Sequence, residues 1–135
     1  FQLWLTDEIR KAIGHDFKVV GEARVGGMGG GLQPVRLWGS GSWPDITVGT
    51  ADSPLQLAIE LKCLWKRGLP NRVAHALGQA LLYLERSVGG YRNALVVYIV
   101  SEAIHFRIPS ELDARLANHE IAVSVVDTTQ GAEGA

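Results

Sequence analysis

The sequence lacks three features that would narrow its class at once: paired cysteines, long apolar runs and a charge excess of one sign. Cys63 is the only cysteine, so an internal disulfide and a cysteine-based zinc cluster are both excluded. No apolar run approaches the roughly 20 residues that a membrane-spanning helix needs. The net charge is −1, whereas proteins that bind nucleic acid non-specifically are usually basic overall. Any affinity for phosphate must therefore come from a local cluster of basic residues.

The composition is that of an ordinary globular domain. With 135 residues, 47% of them hydrophobic and 20% charged, the chain is long enough to bury one sizeable core. We expect a single domain over residues 1–126 and a linker-like or disordered tail over 127–135. Because the sequence starts at Phe1 rather than at methionine, we expect it to be a piece of a longer chain, and fusion to further domains stays open. The single thiol and the lack of a membrane span favour a cytoplasmic location.

The first third of the chain is predicted to form a helix, a strand and a loop. Thr6 is the predicted N-cap of a helix that ends at Gly14, with Glu8 in its first turn, where an acid suits the helix dipole. Alternating apolar residues predict a strand over 17–25. The glycine-rich segment 26–41 is interpreted as a long mobile loop, because it holds few apolar anchors.

The rest of the chain alternates between strands and helices. Strict alternation over residues 55–63 predicts a strand, and Pro70 opens a long helix. The nearly continuous apolar run 94–100 indicates a strand that is covered on both faces. Ser110 is the predicted cap of a short helix, and 121–126 is the last strand. This order predicts an α/β fold with a mixed sheet and helices on both faces.

Two carboxylates are predicted to face each other across one hairpin. The segments WPDITVGT and LQLAIELKC are joined by a short turn, and their register pairs Asp45 with Glu60. Lys62 lies on the same face, because strand side chains repeat every second residue. At ~4 Å the repulsion between two like charges is about 1 kcal/mol in water and about 4 kcal/mol at an effective dielectric of 20. A bound cation would offset this cost, so the sequence predicts a metal site.

The residue types at this site suit phosphodiester hydrolysis. Asp45, Glu60 and the backbone carbonyl of Leu61 offer the hard oxygen ligands that Mg²⁺ or Mn²⁺ prefers. Lys62 supplies a positive charge that can hold a water or a phosphate oxygen. Gln79 could orient a water or contact a nucleic-acid backbone. Positioning and electrostatics supply most of the catalysis in such reactions.

Pro44-Asp45, followed after a spacer by Glu60-Leu61-Lys62, resembles the signature of the PD-(D/E)XK nuclease superfamily, which includes restriction endonucleases and Holliday junction resolvases. The resemblance implies a restriction-endonuclease-like αβββαβ core with a mixed central sheet flanked by helices. It also implies metal binding by Asp45 and Glu60, catalysis by Lys62 and support from Gln79 on the following helix. DNA is the implied substrate, cut to leave 5′-phosphate ends.

Two features that family members often share are not fixed by the motif. Many members place a further acid on the first helix; Glu8 is the candidate here, and Glu22 on the first strand is its rival. Glu8 alone also suits an ordinary helix-start acid. Relatives often dimerise, so a homodimer is compatible with the resemblance.

Basic and polar residues near the proposed site form a predicted nucleic-acid contact surface. The densest basic cluster begins at Lys62, and Arg36 and Trp38 in the glycine-rich segment could meet a ligand; the other members of the cluster are Lys66, Arg67 and Arg72. The long helix carries a polar stripe that is typical of a solvent-facing side, made of Arg72, His75, Gln79, Tyr83 and Arg86. His75 is interpreted as a surface histidine rather than a base.

Other interpretations of the same residues stay open. Glu60 and Lys62 also fit a solvated strand face, and Asp45 after Pro44 also fits a strand-entry turn. A catalytically inactive nucleic-acid or protein-binding module that keeps the nuclease fold is therefore the alternative function. The sequence does not decide between DNA and RNA, single strand and duplex, or endo and exo action.

Overall fold

A computed structural model describes residues 1–14, 17–21, 35–37, 40–42 and 44–131, with the side chains of 35–37, 40–42 and 130–131 left out. The elements, in chain order, are α1 (Gln2–Ile13), β1 (Lys18–Gly21), β2 (Val35–Leu37), β3 (Ser40–Ser42), β4 (Ile46–Gly49), β5 (Leu57–Leu64), α2 (Leu69–Leu84), β6 (Asn93–Val100), α3 (Ser110–Asn118), β7 (Ile121–Asp127) and α4 (Thr128–Gly131).

A five-stranded mixed sheet organises the chain, in the order β1-β4-β5-β6-β7. The strands β1, β4 and β5 pair antiparallel, whereas β5, β6 and β7 pair parallel. Parallel neighbours need a crossover, and the helices α2 and α3 provide the two crossovers. The coarse prediction of an α/β fold with a mixed sheet is therefore confirmed.

Helices cover both faces of this sheet. On one face, α1 packs through Leu5, Ile9 and Ile13 against alternate residues of β4, β5 and β6. On the other face, Ala76 and Ala80 of α2 pack against the remaining residues of β6, together with residues of α3. Both faces of β6 are buried, as its continuous apolar sequence predicts.

Two predicted helix starts are wrong. The helix α1 begins at Gln2 with Phe1 as its N-cap, and Thr6 lies inside the helix, buried against the sheet. There Thr6 Oγ1 donates to the carbonyl of Gln2 at 2.7 Å, which is the back-bonding that threonine adopts within helices. The cap of α3 is Pro109, and Ser110 is the first helical residue.

The prediction of a loop over 26–41 is wrong for the last part of that segment, where β2 and β3 form a two-stranded antiparallel sheet. Residues 22–34, including Glu22, lie outside the described residues, as do Trp38 and Trp43. At the other end of the chain, α4 forms one helical turn within the segment predicted as a tail, and residues 132–135 lie outside the described part. Among the described residues, no helix combines the length and apolarity needed to cross a membrane.

Candidate active site

The hairpin β4–β5 brings Asp45 beside Glu60. The predicted register is confirmed, since Ile46 pairs with Ile59, and the next two pairs follow in step. Asp45 immediately precedes β4, and its backbone N–H donates to the carbonyl of Ile59 at 3.1 Å. Its carboxylate atom Oδ2 accepts the backbone N–H of Leu61 at 2.7 Å. Asp45 thus contacts both residues that flank Glu60 in β5.

The side chain of Glu60 is buried in the interior, with 6% of its surface exposed. It lies on the face of β5 that is covered by α2, and the hydroxyl of Tyr83 donates to Glu60 Oε2 at 2.7 Å. Burying a carboxylate is costly unless hydrogen bonds or a cation compensate it. The hydroxyl of Tyr83 supplies part of that compensation from the helix.

Lys62 lies two residues beyond Glu60 on the same face of β5 and is half-buried. Its Nζ atom is 3.1 Å from Nδ1 of His75. An ammonium group has only donors, so Nδ1 of His75 is the acceptor in this contact. His75 therefore fixes the position of the lysine that the sequence predicts to be catalytic.

The central residues of the polar stripe of α2 face β5 rather than solvent. The prediction of a solvent-facing stripe is therefore wrong for this part of the helix. Tyr83 is only 1% exposed, whereas the apolar side chain of Leu81 is 50% exposed. The helix approaches the sheet through the small residues Ala76 and Ala80, and this rotates the stripe inward. Gln79 lies between the two polar contacts, and its Oε1 atom is buried without a partner among the described residues.

The predicted basic cluster is only partly directed at the site. Arg72 Nε donates to the carbonyl of Cys63 at 2.7 Å, and its guanidinium carbon lies 4.6 Å from the centre of the Trp65 ring. Lys66 and Arg67 are exposed in the turn between β5 and α2. The Lys66 backbone N–H also donates to the carboxylate of Glu102 at 3.3 Å, so an acid lies next to this turn. Arg36 is in β2, and its side chain lies outside the described part.

Glu8 is not brought to the carboxylate pair. It is exposed on α1 and forms an ion pair with Lys11 at 3.2 Å. The residue of α1 that does reach the site is Gln2, whose Nε2 donates to the backbone carbonyl of Asp45 at 2.8 Å. The sequence pattern does not point to Gln2, since a helix predicted to begin at Thr6 excludes it. Nor does the pattern point to the roles of Tyr83 and His75, although both stand one helical turn from Gln79.

The donor set suits a divalent cation with few protein ligands. Within the described ranges, no group of three or more His, Cys, Asp or Glu side chains could hold a metal ion. Mg²⁺, however, is commonly bound through one or two carboxylates with waters in the remaining positions. Asp45 and Glu60, with a backbone carbonyl of β5, fit that description, whereas zinc sites are typically built with His or Cys ligands.

Comparison with known proteins adds no family to this description. No protein-family model, no curated protein and no solved structure matches the chain. The class that the structure itself defines is an α/β protein with a mixed five-stranded sheet, in which two acids and a lysine lie at neighbouring positions between β4, β5 and α2.

Proposed function

We propose that this chain is a Mg²⁺-dependent nuclease domain that hydrolyses the phosphodiester bonds of DNA. The observation that carries the proposal is the position of Asp45, whose carboxylate binds the Leu61 N–H next to the buried carboxylate of Glu60. This arrangement of two carboxylates is unfavourable unless a bound cation offsets it, because neighbouring like charges destabilise a sheet.

The order of elements supports the finer fold assignment. The helix α1, the antiparallel strands β1, β4 and β5, the crossover helix α2 and the strand β6 follow one another as in a restriction-endonuclease-like αβββαβ core. The hairpin of β2 and β3 is an addition between the first two strands of that core. Asp45 immediately precedes the second strand of that core, and Glu60 and Lys62 lie on the third, in keeping with the resemblance to the PD-(D/E)XK nucleases.

In the proposed reaction, Asp45, Glu60 and the carbonyl of Leu61 would hold the ion. When bound, a divalent cation lowers the pKa of a coordinated water and stabilises negative charge on an attacked phosphate. The Nζ atom of Lys62, held by His75, donates to the attacking water or to a phosphate oxygen. A substrate or water atom can accept or donate at Gln79, whose side chain lies between the Lys62 and Glu60 contacts.

The Tyr83 hydroxyl has a supporting role in this account. By donating to Oε2 of Glu60, it orients the buried carboxylate that would serve as a metal ligand. Gln2 has a similar role for Asp45, because it ties the backbone of that residue to the start of α1.

Cleavage assays with conservative variants test the proposal. Asp45→Asn keeps an acceptor for the Leu61 N–H, and Lys62→Met keeps the length of the side chain. Each is expected to lower Mg²⁺-dependent cleavage of plasmid or single-stranded DNA by about 100-fold or more. Asp52→Asn, in the exposed turn after β4, is the matched control and should cleave normally. Cleavage at the wild-type rate by both site variants would place the activity elsewhere.

A second candidate is a binding module that keeps this fold without catalysis. Protein donors already bind one oxygen of each carboxylate, and no third acid joins them in the described part of the chain. Such a module would bind nucleic acid or protein without binding a divalent cation. Titration with Mg²⁺ separates the two candidates, since only the nuclease requires the ion.

A further inference from the structure

A groove next to the proposed catalytic residues has the chemistry of an anion site. It has a volume of about 330 Å³ and is lined by Lys62, Asn71, Arg72 and His75. Two of these side chains are cations, one is an amide, and none is an acid. The groove lies where the end of β5 faces the first two turns of α2.

Lys62 and His75 act as one unit in this groove. The contact between Nζ and Nδ1 uses one of the three ammonium protons and leaves two for a ligand. Because Nδ1 accepts in this contact, the other ring nitrogen of His75, Nε2, points away from Lys62. A phosphate oxygen is a ligand that can accept from the two remaining ammonium protons while His75 holds the ammonium group in place.

Arg72 is held in place by the protein rather than by solvent. Its Nε is bonded to the carbonyl of Cys63, and the guanidinium lies over the ring of Trp65, which leaves the terminal nitrogens as donors. An arginine fixed in this way loses little conformational entropy when it binds an anion. Asn71, in the same turn of the helix, adds an amide donor.

The groove lies one step along β5 from the carboxylate pair. Lys62 follows Glu60 by two residues, a rise of about 6.6 Å along the strand. A nucleic-acid strand whose scissile phosphate lies at Asp45 and Glu60 would place a neighbouring phosphate near Lys62 and His75.

We propose that this groove is a phosphate-binding subsite that holds the backbone of a nucleic-acid strand next to the bond to be cut, with Lys62, positioned by His75, and Arg72 as its cationic donors. The inference rests on the proposed function, because that function identifies the phosphate as part of a strand. The subsite is expected to bind phosphate without a divalent cation, since it offers two cationic side chains and no carboxylate.

Binding in the presence of EDTA tests the subsite directly. The chain has four histidines, so imidazole proton resonances can be assigned with single variants. Addition of single-stranded oligothymidylate is expected to shift the His75 resonance and to leave that of His119, exposed at the end of α3, in place. Inorganic phosphate is the second probe; if it shifts His75 and the oligonucleotide does not, the site is one for free phosphate and the proposal is wrong.

Affinity measured by fluorescence anisotropy provides the second readout. His75→Ala should weaken oligothymidylate binding by about fivefold and Lys62→Met by about tenfold, as expected for lost hydrogen bonds to a charged group. His119→Ala is the matched control and should bind like the wild type. Unchanged affinity in both groove variants, or no binding of the strand to the wild type, would overturn the subsite.

Failure of the subsite and failure of the nuclease give different results. If the protein cleaves DNA in Mg²⁺ but His75→Ala binds the strand in EDTA as well as the wild type does, only the subsite proposal is wrong. If strand binding depends on Lys62 and His75 but no cleavage occurs in Mg²⁺, the subsite is supported and the nuclease proposal is wrong.

Discussion

At the scale of single residues, the contact between Tyr83 and Glu60 makes the strongest prediction about stability. Tyr83→Phe removes the hydroxyl that donates to a carboxylate with little access to water. We expect the free energy of unfolding to fall by about 1–3 kcal/mol, because a buried charged acceptor loses a partner. Urea denaturation at neutral pH measures this change.

Tyr91→Phe is the control for this substitution. Tyr91 belongs to the same small hydrophobic cluster as Tyr83, but its hydroxyl has no hydrogen bond to any described residue. Its substitution should change stability by less than about 0.5 kcal/mol. Equal effects of the two substitutions would mean that the hydroxyl of Tyr83 does not stabilise Glu60.

The sequence predicts the site residues that lie on strands better than those on helices. The positions of Asp45, Glu60 and Lys62 are predicted by the alternation of side chains between the two faces of a strand. A register error of one residue would move every side chain to the other face, so the register is strongly specified. The site residues on α2 cannot be predicted in this way, because apolar residues occur on nearly every side of that helix. The burial of Tyr83 is decided by the close approach of two alanines, which is a property of packing.

At the scale of elements, replacing two glycines by alanine is expected to change the free energy of unfolding in opposite directions. In β4, a Cβ at Gly49 would lie 2.3 Å from the carbonyl oxygen of Pro54, so Gly49→Ala must push the β4–β5 turn apart. We expect it to lower the free energy of unfolding by about 1–3 kcal/mol. In α2, a Cβ at Gly78 would meet nothing within 4 Å, and Gly78→Ala should raise stability by about 0.4–1 kcal/mol.

Urea denaturation of the two alanine variants side by side is the measurement. A neutral Gly49→Ala would show that the β4–β5 turn does not need the close approach to Pro54. A destabilising Gly78→Ala would show that this side of α2 is packed.

Element boundaries were harder to predict than element types. The helices and strands expected over 55–126 are all present, because each has a clear period or a continuous apolar run. The start of α1 was wrong because a threonine before acidic residues has the sequence pattern of a cap, while burial of Thr6 against the sheet decides its true place. The hairpin of β2 and β3 was missed because glycine-rich sequence indicates a loop.

At the scale of the whole molecule, buried tyrosines make the fold sensitive to alkali. Burial raises the pKa of Tyr91 to about 12, and burial also raises the pKa of Tyr98. Between pH 10 and pH 12 the unfolded chain therefore loses the Tyr91 proton more readily than the folded chain does. The stability from Tyr91 is fully present below pH 10 and is lost as the pH rises towards 12.

Urea unfolding at pH 9, 10 and 11 measures this dependence. We expect Tyr91 to account for a loss of about 1 kcal/mol at pH 11. Tyr91→Phe should remove that part of the decline and leave the contribution of Tyr98. A decline that is identical in the variant and the wild type would mean that Tyr91 ionises as easily in the folded protein as in the unfolded one.

Calorimetric titration of the protein with Mg²⁺, repeated with Mn²⁺, tests the central claim most directly. The account predicts saturable binding to the wild type and at least about tenfold weaker binding to Asp45→Asn and to Glu60→Gln, each of which replaces a charged ligand by a neutral one. Glu8→Gln, which alters only the exposed pair with Lys11, should bind the ion normally. Absence of binding to the wild type, or equal affinity in all the variants, would contradict the account.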